Sequence, residues 1–307
     1  MEKISIIIPV YGEKELVPVL YNRLISVVKN MNLLYEIIYI NDACPYGSGT
    51  ELKKIAEIDK NVTVINFSRN FGELSAVKAG IDYCKGDWAV VMDCDLQDKP
   101  EDILLLYSKA KEGYDIVWGE RKIRKDNYFK KFLSHMFYYV NNLLSEIKVT
   151  RKIGSFSIIS RKVINELKKI DDYTFNYMYC VKFCGFKETY IPIIKESRKI
   201  GKSQYNIIKG ISYAVKVMVF SSNRLLLIPV FSSFLLIFIA LLLLLFGILG
   251  IFSAENTSYL LILLVFICSV LCINISILGL YIGMIFKEIS TKPHYIIEDI
   301  YKGDKIQ

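Results

Sequence analysis

Trp88-Ala89-Val90-Val91-Met92-Asp93-Cys94-Asp95-Leu96-Gln97-Asp98 is the stretch on which the fold turns. Its first five residues are apolar and read as a buried strand, and the acids that follow end it. The same pattern repeats on both sides. Residues 4–10, 35–40 and 62–67 read as strands, with helices over 15–30, 50–60, 73–84 and 100–112, the last opening on Pro100. Residues 116–118 and 189–194 read as further strands. This alternation predicts an α/β domain with a Rossmann-like, mostly parallel sheet covered by helices on both faces. Ligands of such a sheet bind beyond the carboxyl ends of its strands. Tyr11-Gly12-Glu13 follows the first strand, Asp42 the second, and Asp93 and Asp95 the fourth. Three separate segments therefore bring polar groups to one edge.

After Arg224 the pattern changes. Residues 225–254 and 256–286 are uncharged apolar runs separated only by Glu255. Each exceeds the roughly 20 residues that cross about 30 Å of hydrocarbon. The 53% hydrophobic content, high for a purely soluble protein, comes from here. Two transmembrane helices are expected, over about 226–252 and 259–286 within 225–287. Lys209, Lys216 and Arg224 precede the first run and Lys287 and Lys292 follow the second, whereas the connector 253–258 has no Lys or Arg. That bias places both ends on the cytoplasmic side. The apolar segment at 4–10 is too short for a signal peptide and has no small-residue cleavage site. The expected location is an inner, plasma or ER-type membrane, multi-pass, with both termini cytoplasmic. Residues 206–224 read as an amphipathic helix in the interface, or as a continuation of the soluble fold. Residues 1–205 then form the cytoplasmic domain and 288–307 a cytoplasmic tail. Gly247, Gly250, Gly279 and Gly283 would allow close helix approach, a route to a homo-oligomer.

The formal charge is +8. No nucleic-acid recognition module accompanies it, so an anionic membrane face and phosphate-bearing substrates are the expected partners, not nucleic acid. The seven cysteines form no Cys-x-x-Cys and fit a reducing compartment. With two histidines, a metal site would be oxygen-ligated and hard, holding Mg²⁺ or Mn²⁺. Asp93-x-Asp95 has the chemistry for it. A sugar nucleotide departs as a diphosphate, and a divalent ion bridging carboxylate and phosphate oxygens neutralises the departing charge. Solvated loop acids are the plain alternative. Gln97 offers a further oxygen; Asp98 is either a supporting acid or the cap of the next helix.

Residues 7–13, Asn66-Phe67-Ser68-Arg69-Asn70-Phe71-Gly72, Ala79-Gly80, Gly86-Asp87 and Val91 to Asp98 together resemble family 2 glycosyltransferases. They are similar to the polyprenyl-phosphate branch, the dolichol-phosphate mannose synthases and bactoprenol glucosyltransferases. Gly119-Glu120-Arg121-x-x-Arg124, Arg198-x-x-Gly201-x-Ser203-x-Tyr205, Gly279-x-Tyr281-x-Gly283 and Lys292-Pro293-x-Tyr295 extend the likeness over nearly the whole chain. The resemblance implies that Pro9, Tyr11 and Glu13 line a nucleoside pocket and that Asp42 holds the base or ribose. Asp93 would contact the donor, and Asp95 and Gln97 would ligate the metal. Arg198 would neutralise the diphosphate, with Ser203 beside it on the donor side. Arg121, Arg124 and Lys131 would grip a lipid phosphate, for which the guanidinium fork is well suited.

Three positions depart from the family pattern. Asn41-Asp42 replaces Asp-Asp, Ser155 stands where Gly154-Ser155-Phe156-Ser157 would carry an acid, and Gln204 follows Ser203 in place of lysine. A lipid monophosphate, with a second pKa near ~6, is a nucleophile without a general base. The expectation is a metal-dependent, inverting transfer of a sugar from a nucleotide donor, UDP favoured over GDP, to undecaprenyl or dolichyl phosphate. The alternatives are another lipid acceptor and a weakly catalytic, membrane-anchored nucleotide-sugar-binding scaffold.

Overall fold

The computed structural model describes residues 1–12, 14–121, 153–171, 175–196, 226–248, 257–289, 292–303 and 305–306. The chain divides into two compact units. The first holds Met1–His135, Val149–Gln204 and Lys292–Gln307; the second holds Met136–Lys148 and Tyr205–Thr291.

In the first unit, strands β1 (Lys3–Val10), β2 (Leu34–Asn41), β3 (Val62–Phe67) and β4 (Trp88–Val91) alternate with helices α1 (Leu16–Asn30), α2 (Ser48–Ile58), α3 (Glu73–Tyr83) and α4 (Asp102–Ala110). Then come β5 (Ile116–Arg121), β6 (Ile153–Ser160), α5 (Arg161–Lys169), α6 (Tyr177–Phe183) and β7 (Glu188–Ile193), and after the second unit β8 (Ile297–Lys302) and β9 (Lys305–Ile306). The nine strands form one sheet in the order β7-β5-β6-β4-β1-β2-β3-β8-β9. Among these strands only β6 and β8 run against the rest, so the sheet is mostly parallel, as the alternation predicts.

The central strands carry the reason for the layering. Ile4, Ile6, Ile7 and Ile8 of β1 are all fully buried, and so are residues of both faces of β2 and β4. A strand apolar on both faces needs cover on both. Leu16, Val17, Leu20, Leu24, Val27 and Val28 give α1 its buried stripe at helical spacing, packed with Ile4, Ile6 and Ile8 on one face of the sheet. Ile7 belongs to the opposite face, with Ala76, Val77, Ala79 and Ile81 of α3. The approach there is so close that a Cβ on Gly80 would lie 2.1 Å from the Ile7 side chain.

Three strands escape the sequence reading, the short β9 among them as the antiparallel partner of β8. β6 inserts between β5 and β4, and β8 returns from beyond residue 292 to pair antiparallel with β3. The segment 288–307, expected as a plain tail, thus contributes to the sheet.

The second unit contains α7 (Leu227–Ile248) and α8 (Thr257–Ile289). Leu263–Phe286 is long and apolar enough to cross a membrane, with mean hydropathy 2.6, and none of it is buried. The described apolar stretch of α7, Leu227–Leu242, is shorter than such a span. Ser232 and Asn274 link the two helices, Asn274 Nδ2 donating to Ser232 Oγ at 2.8 Å. The expected helix over 206–224 lies outside the described residues.

Candidate active site

The carboxyl ends of β1, β2 and β4 all open on one edge of the sheet, since the three strands are parallel and adjacent. β6 begins at that edge because it runs the other way, and β5 and β7 end there. Two clusters form.

The first cluster lies at β1 and β2. Half-buried Pro9 pairs in register with Ile40, and Tyr11 packs edge-on to the exposed Tyr46 ring at 6.4 Å. Gly12 N–H donates to Cys44 Sγ at 3.1 Å, tying the first turn to the second. Asp42 is buried and accepts from two backbone N–H groups, Phe71 at 2.6 Å and Gly72 at 2.9 Å. Burial pushes its carboxyl above the usual aspartate range, against the pull of those two bonds. Ala43 beside it adopts a left-handed φ of 49°, a costly conformation for a residue with a Cβ.

The second cluster is the acidic turn after β4. Asp95 Oδ1 accepts from the Gln97 N–H at 3.0 Å, closing a turn in which Leu96 has a φ of 58°. Strained backbone of this kind persists where its surroundings over-determine it. β4 and β6 pair Val91 with Ser157, which brings Ser155 alongside Asp93, and Ser155 Oγ donates to Asp93 Oδ1 at 3.2 Å. Asp98 Oδ2 takes an ion pair from Lys195 at 2.9 Å, and Glu196 N–H bonds the Gln97 carbonyl at 2.9 Å. The segment after β7 is therefore fastened to the acidic turn. Burial raises the Asp93 carboxyl, with repulsion from Asp98 and Asp95 adding to it and Lys195 and Ser155 opposing. Asp98 is also raised by burial, despite the attraction of Lys195 and Arg121. Asp98 Oδ1 and Arg121 Nε are buried without a hydrogen-bond partner among the described residues. Arg121 lies against Gly154, where a Cβ would come 2.9 Å from its guanidinium.

The described residues contain no cluster of three His, Cys, Asp or Glu that would cage a metal alone. The acidic turn nevertheless fits a hard divalent cation. Its donors are carboxylate and amide oxygens, its Asp93 and Asp98 carboxyls are held above their ordinary range by burial, and one buried oxygen of Asp98 lacks a partner among the described residues. A cation bound there would draw its remaining ligands from phosphate oxygens and water.

The structure thus gathers Asp93, Asp95, Gln97 and Arg121 at one cluster and Pro9, Tyr11 and Asp42 at the other. Glu13, Arg124, Lys131, Arg198 and Ser203 lie outside the described residues. Sequence reading missed Lys195 and the contact between Ser155 and Asp93. The lysine has no motif. The serine contact arises from the antiparallel register of β6, which spacing along the chain does not reveal.

The family profile described as glycosyl transferase family 2 matches residues 5–168. YkcC of Bacillus subtilis (strain 168), named an uncharacterized glycosyltransferase, is 32% identical over 309 residues, which cover 97% of this chain and 94% of that protein. The undecaprenyl-phosphate 4-deoxy-4-formamido-L-arabinose transferase of Proteus mirabilis (strain HI4320) is 29% identical over 323 residues, covering 98% and 94%. The SfII prophage-derived bactoprenol glucosyl transferase of Shigella flexneri is 29% identical over 310 residues, covering 98% and 99%.

Proposed function

The chain belongs to glycosyl transferase family 2 and is a glycosyltransferase, and from that premise we propose that it moves a sugar from a nucleotide donor, UDP favoured, to a polyprenyl phosphate, with inversion at the anomeric carbon. The observation that carries the reading is the pairing of two strand-end clusters on one edge, the turns that carry Tyr11 and Asp42 and the acidic turn at Asp93, Asp95 and Asp98. Relatives aligned along almost their full length and named for undecaprenyl phosphate and bactoprenol supply the acceptor class.

The family resemblance supplies each role, and the chemistry of the side chains suits it. Pro9, Tyr11, Glu13 and Asp42 line the nucleoside end. Asp95 and Gln97 would hold Mg²⁺ or Mn²⁺, which when bound offsets the charge of the departing diphosphate. Asp93 faces the donor, and Arg198 with Ser203 closes on the diphosphate. Arg121, Arg124 and Lys131 hold the acceptor phosphate, and Arg121 Nε, buried beside the acidic turn, is suited to an anion. A phosphate oxygen of the lipid attacks the anomeric carbon and forms the new C–O bond. The bond from that carbon to the donor phosphate breaks, and the nucleoside diphosphate leaves on the opposite face with the bonding pair. The nucleophile is already anionic, so no proton needs removing and Ser155 in place of an acid is compatible with turnover.

The lipid acceptor explains the apolar helices. At 1.5 Å rise per residue, the 24 residues of Leu263–Phe286 extend about 36 Å, enough for about 30 Å of hydrocarbon. In this reading α7 would complete a two-span hairpin, with residues 1–205 and 288–307 on the cytoplasmic side. The test is a screen of UDP- and GDP-sugars against undecaprenyl and dolichyl phosphate with Mn²⁺, the product resolved by thin-layer chromatography. Formation of a mild-acid-labile glycolipid, lost in Asp95→Ala, supports the reading. An acid-stable glycolipid moves the acceptor to another lipid, and donor binding without transfer leaves the scaffold alternative.

A further inference from the structure

Strand β8 does more than extend the sheet beyond β3. Asp299 on β8 pairs in register with Asn66 on β3, and Asn66 Nδ2 donates to Asp299 Oδ1 at 2.5 Å. Asn66 Oδ1 accepts from Asn41 Nδ2 at 2.8 Å. Asn41 Oδ1 accepts from the Cys44 backbone N–H at 3.2 Å, and Cys44 Sγ receives the Gly12 N–H. A polar chain therefore runs from a strand beyond the second apolar helix to the turns 42–44 and 11–12.

The direction of this chain is fixed at both ends. A backbone N–H can only donate, and a carboxylate can only accept. Each amide between them must turn its oxygen toward Cys44 and its nitrogen toward Asp299, which is the arrangement seen. The neighbourhood leaves room for it. Gly49 borders the amides, and a Cβ there would stand 2.8 Å from Asn41 Nδ2. The turn it holds contains left-handed Ala43, a conformation that needs outside support.

We propose that Asp299 is a positioning residue for the nucleoside end of the donor site, acting through Asn66 and Asn41 on the turn that carries Asp42 and Cys44. The inference rests on the reading that the nucleoside binds at Tyr11 and Asp42. It also accounts for Asn41 where the resembling family has aspartate. An aspartate at 41 cannot donate to Asn66, and turning the Asn66 amide around would set its oxygen against Asp299. An amide at 299 would remove that conflict.

The test is equilibrium binding of UDP with Mn²⁺, and of pyrophosphate with Mn²⁺, to the full-length chain. Asp299→Ala and Asn41→Asp each weaken UDP about tenfold, the scale of one buried polar group left without its partner. Neither changes pyrophosphate affinity, because the relay serves the nucleoside end. Asp299→Asn alone binds UDP as the native chain does, since its amide can rotate to accept from Asn66. Asn41→Asp combined with Asp299→Asn restores UDP affinity. Asp42→Ala serves as the reference for the nucleoside reading. UDP loss in Asp42→Ala but not in Asp299→Ala or Asn41→Asp overturns the relay alone, as does a double variant that fails to recover. Equal weakening of UDP and pyrophosphate also overturns it, as general loosening. Unchanged UDP affinity in Asp42→Ala removes the nucleoside assignment and the relay with it.

Discussion

Replacing Lys195 with methionine removes the cation that faces a wholly buried acid. The Asp98 side chain has 0% exposure and Lys195 15%, with 2.9 Å between the charged atoms. Breaking a buried pair from one side costs about 3–5 kcal/mol when the remaining charge has no other partner. Asp98 has a second route, which is to take up a proton. From an ordinary aspartate value of 3.8, protonation at pH 7 costs about 4 kcal/mol at 1.36 per unit. That ceiling, together with the upward shift Asp98 already shows, sets the loss for Lys195→Met at about 2–4 kcal/mol near neutrality. For a cooperative unit of about 150–250 residues the Tm falls by roughly 5–15 °C. The proton becomes cheaper as pH falls, so the deficit relative to the native chain shrinks between about pH 7.5 and 5. Asp98→Asn in the Lys195→Met background removes the stranded charge and recovers most of the loss, a non-additivity expected for touching groups. Thermal unfolding of the four proteins across that pH range measures all of this. A deficit that is absent at pH 7.5, or that stays constant down to pH 5, refutes the reasoning.

Burial, with repulsion from neighbouring carboxylates, holds Asp93 and Asp98 above 3.8, so the acid limb of transfer activity starts above the range of a free aspartate. Protons and cation compete for these carboxylates, and raising Mn²⁺ therefore moves the limb to lower pH; a limb insensitive to Mn²⁺ contradicts the assignment. Ser155→Asp sets a carboxylate beside Asp93 Oδ1 in place of a hydroxyl donor at 3.2 Å. Without metal its Tm falls, and Mn²⁺ raises its Tm by more than it raises that of the native chain; equal thermal shifts contradict this. Gly86→Ala drives a Cβ to 2.7 Å from Ser5 N and 2.8 Å from Lys3 O, both backbone atoms that cannot step aside. Its expected cost is about 2–3 kcal/mol in denaturant unfolding with UDP affinity unchanged, and a neutral result shows that the β1 edge can yield.

The core of the sheet was legible because its strands announce themselves. Residues 4–10, 35–40, 62–67 and 88–92 are apolar runs bounded by breakers, and their parallel connections need the helices between them. The acidic turn was legible because its acids are contiguous in sequence. β6 was not. Its stretch Ile153–Ser160 mixes glycine and serine with isoleucine, and it becomes a strand only through pairing on both sides with β4 and β5. β8 was hidden for another reason. Ile297–Lys302 carries Glu298, Asp299 and Lys302, too polar to read as an apolar strand run, and its partner β3 lies more than two hundred residues earlier, as the 233-residue separation of Asn66 and Asp299 records. Lys195 shows the same limit: its partner Asp98 is 97 residues away. Local pattern reports strands and turns, whereas the contacts that tune the site are set by tertiary register.

The most direct test of the account is the position of Mn²⁺ in the full-length chain bound to UDP, located by its anomalous scattering. The account predicts one ion at the turn after β4, in contact with the Asp95 carboxylate and the diphosphate, with the uracil end between Tyr11 and Asp42. An ion or a nucleotide bound away from that turn would contradict it.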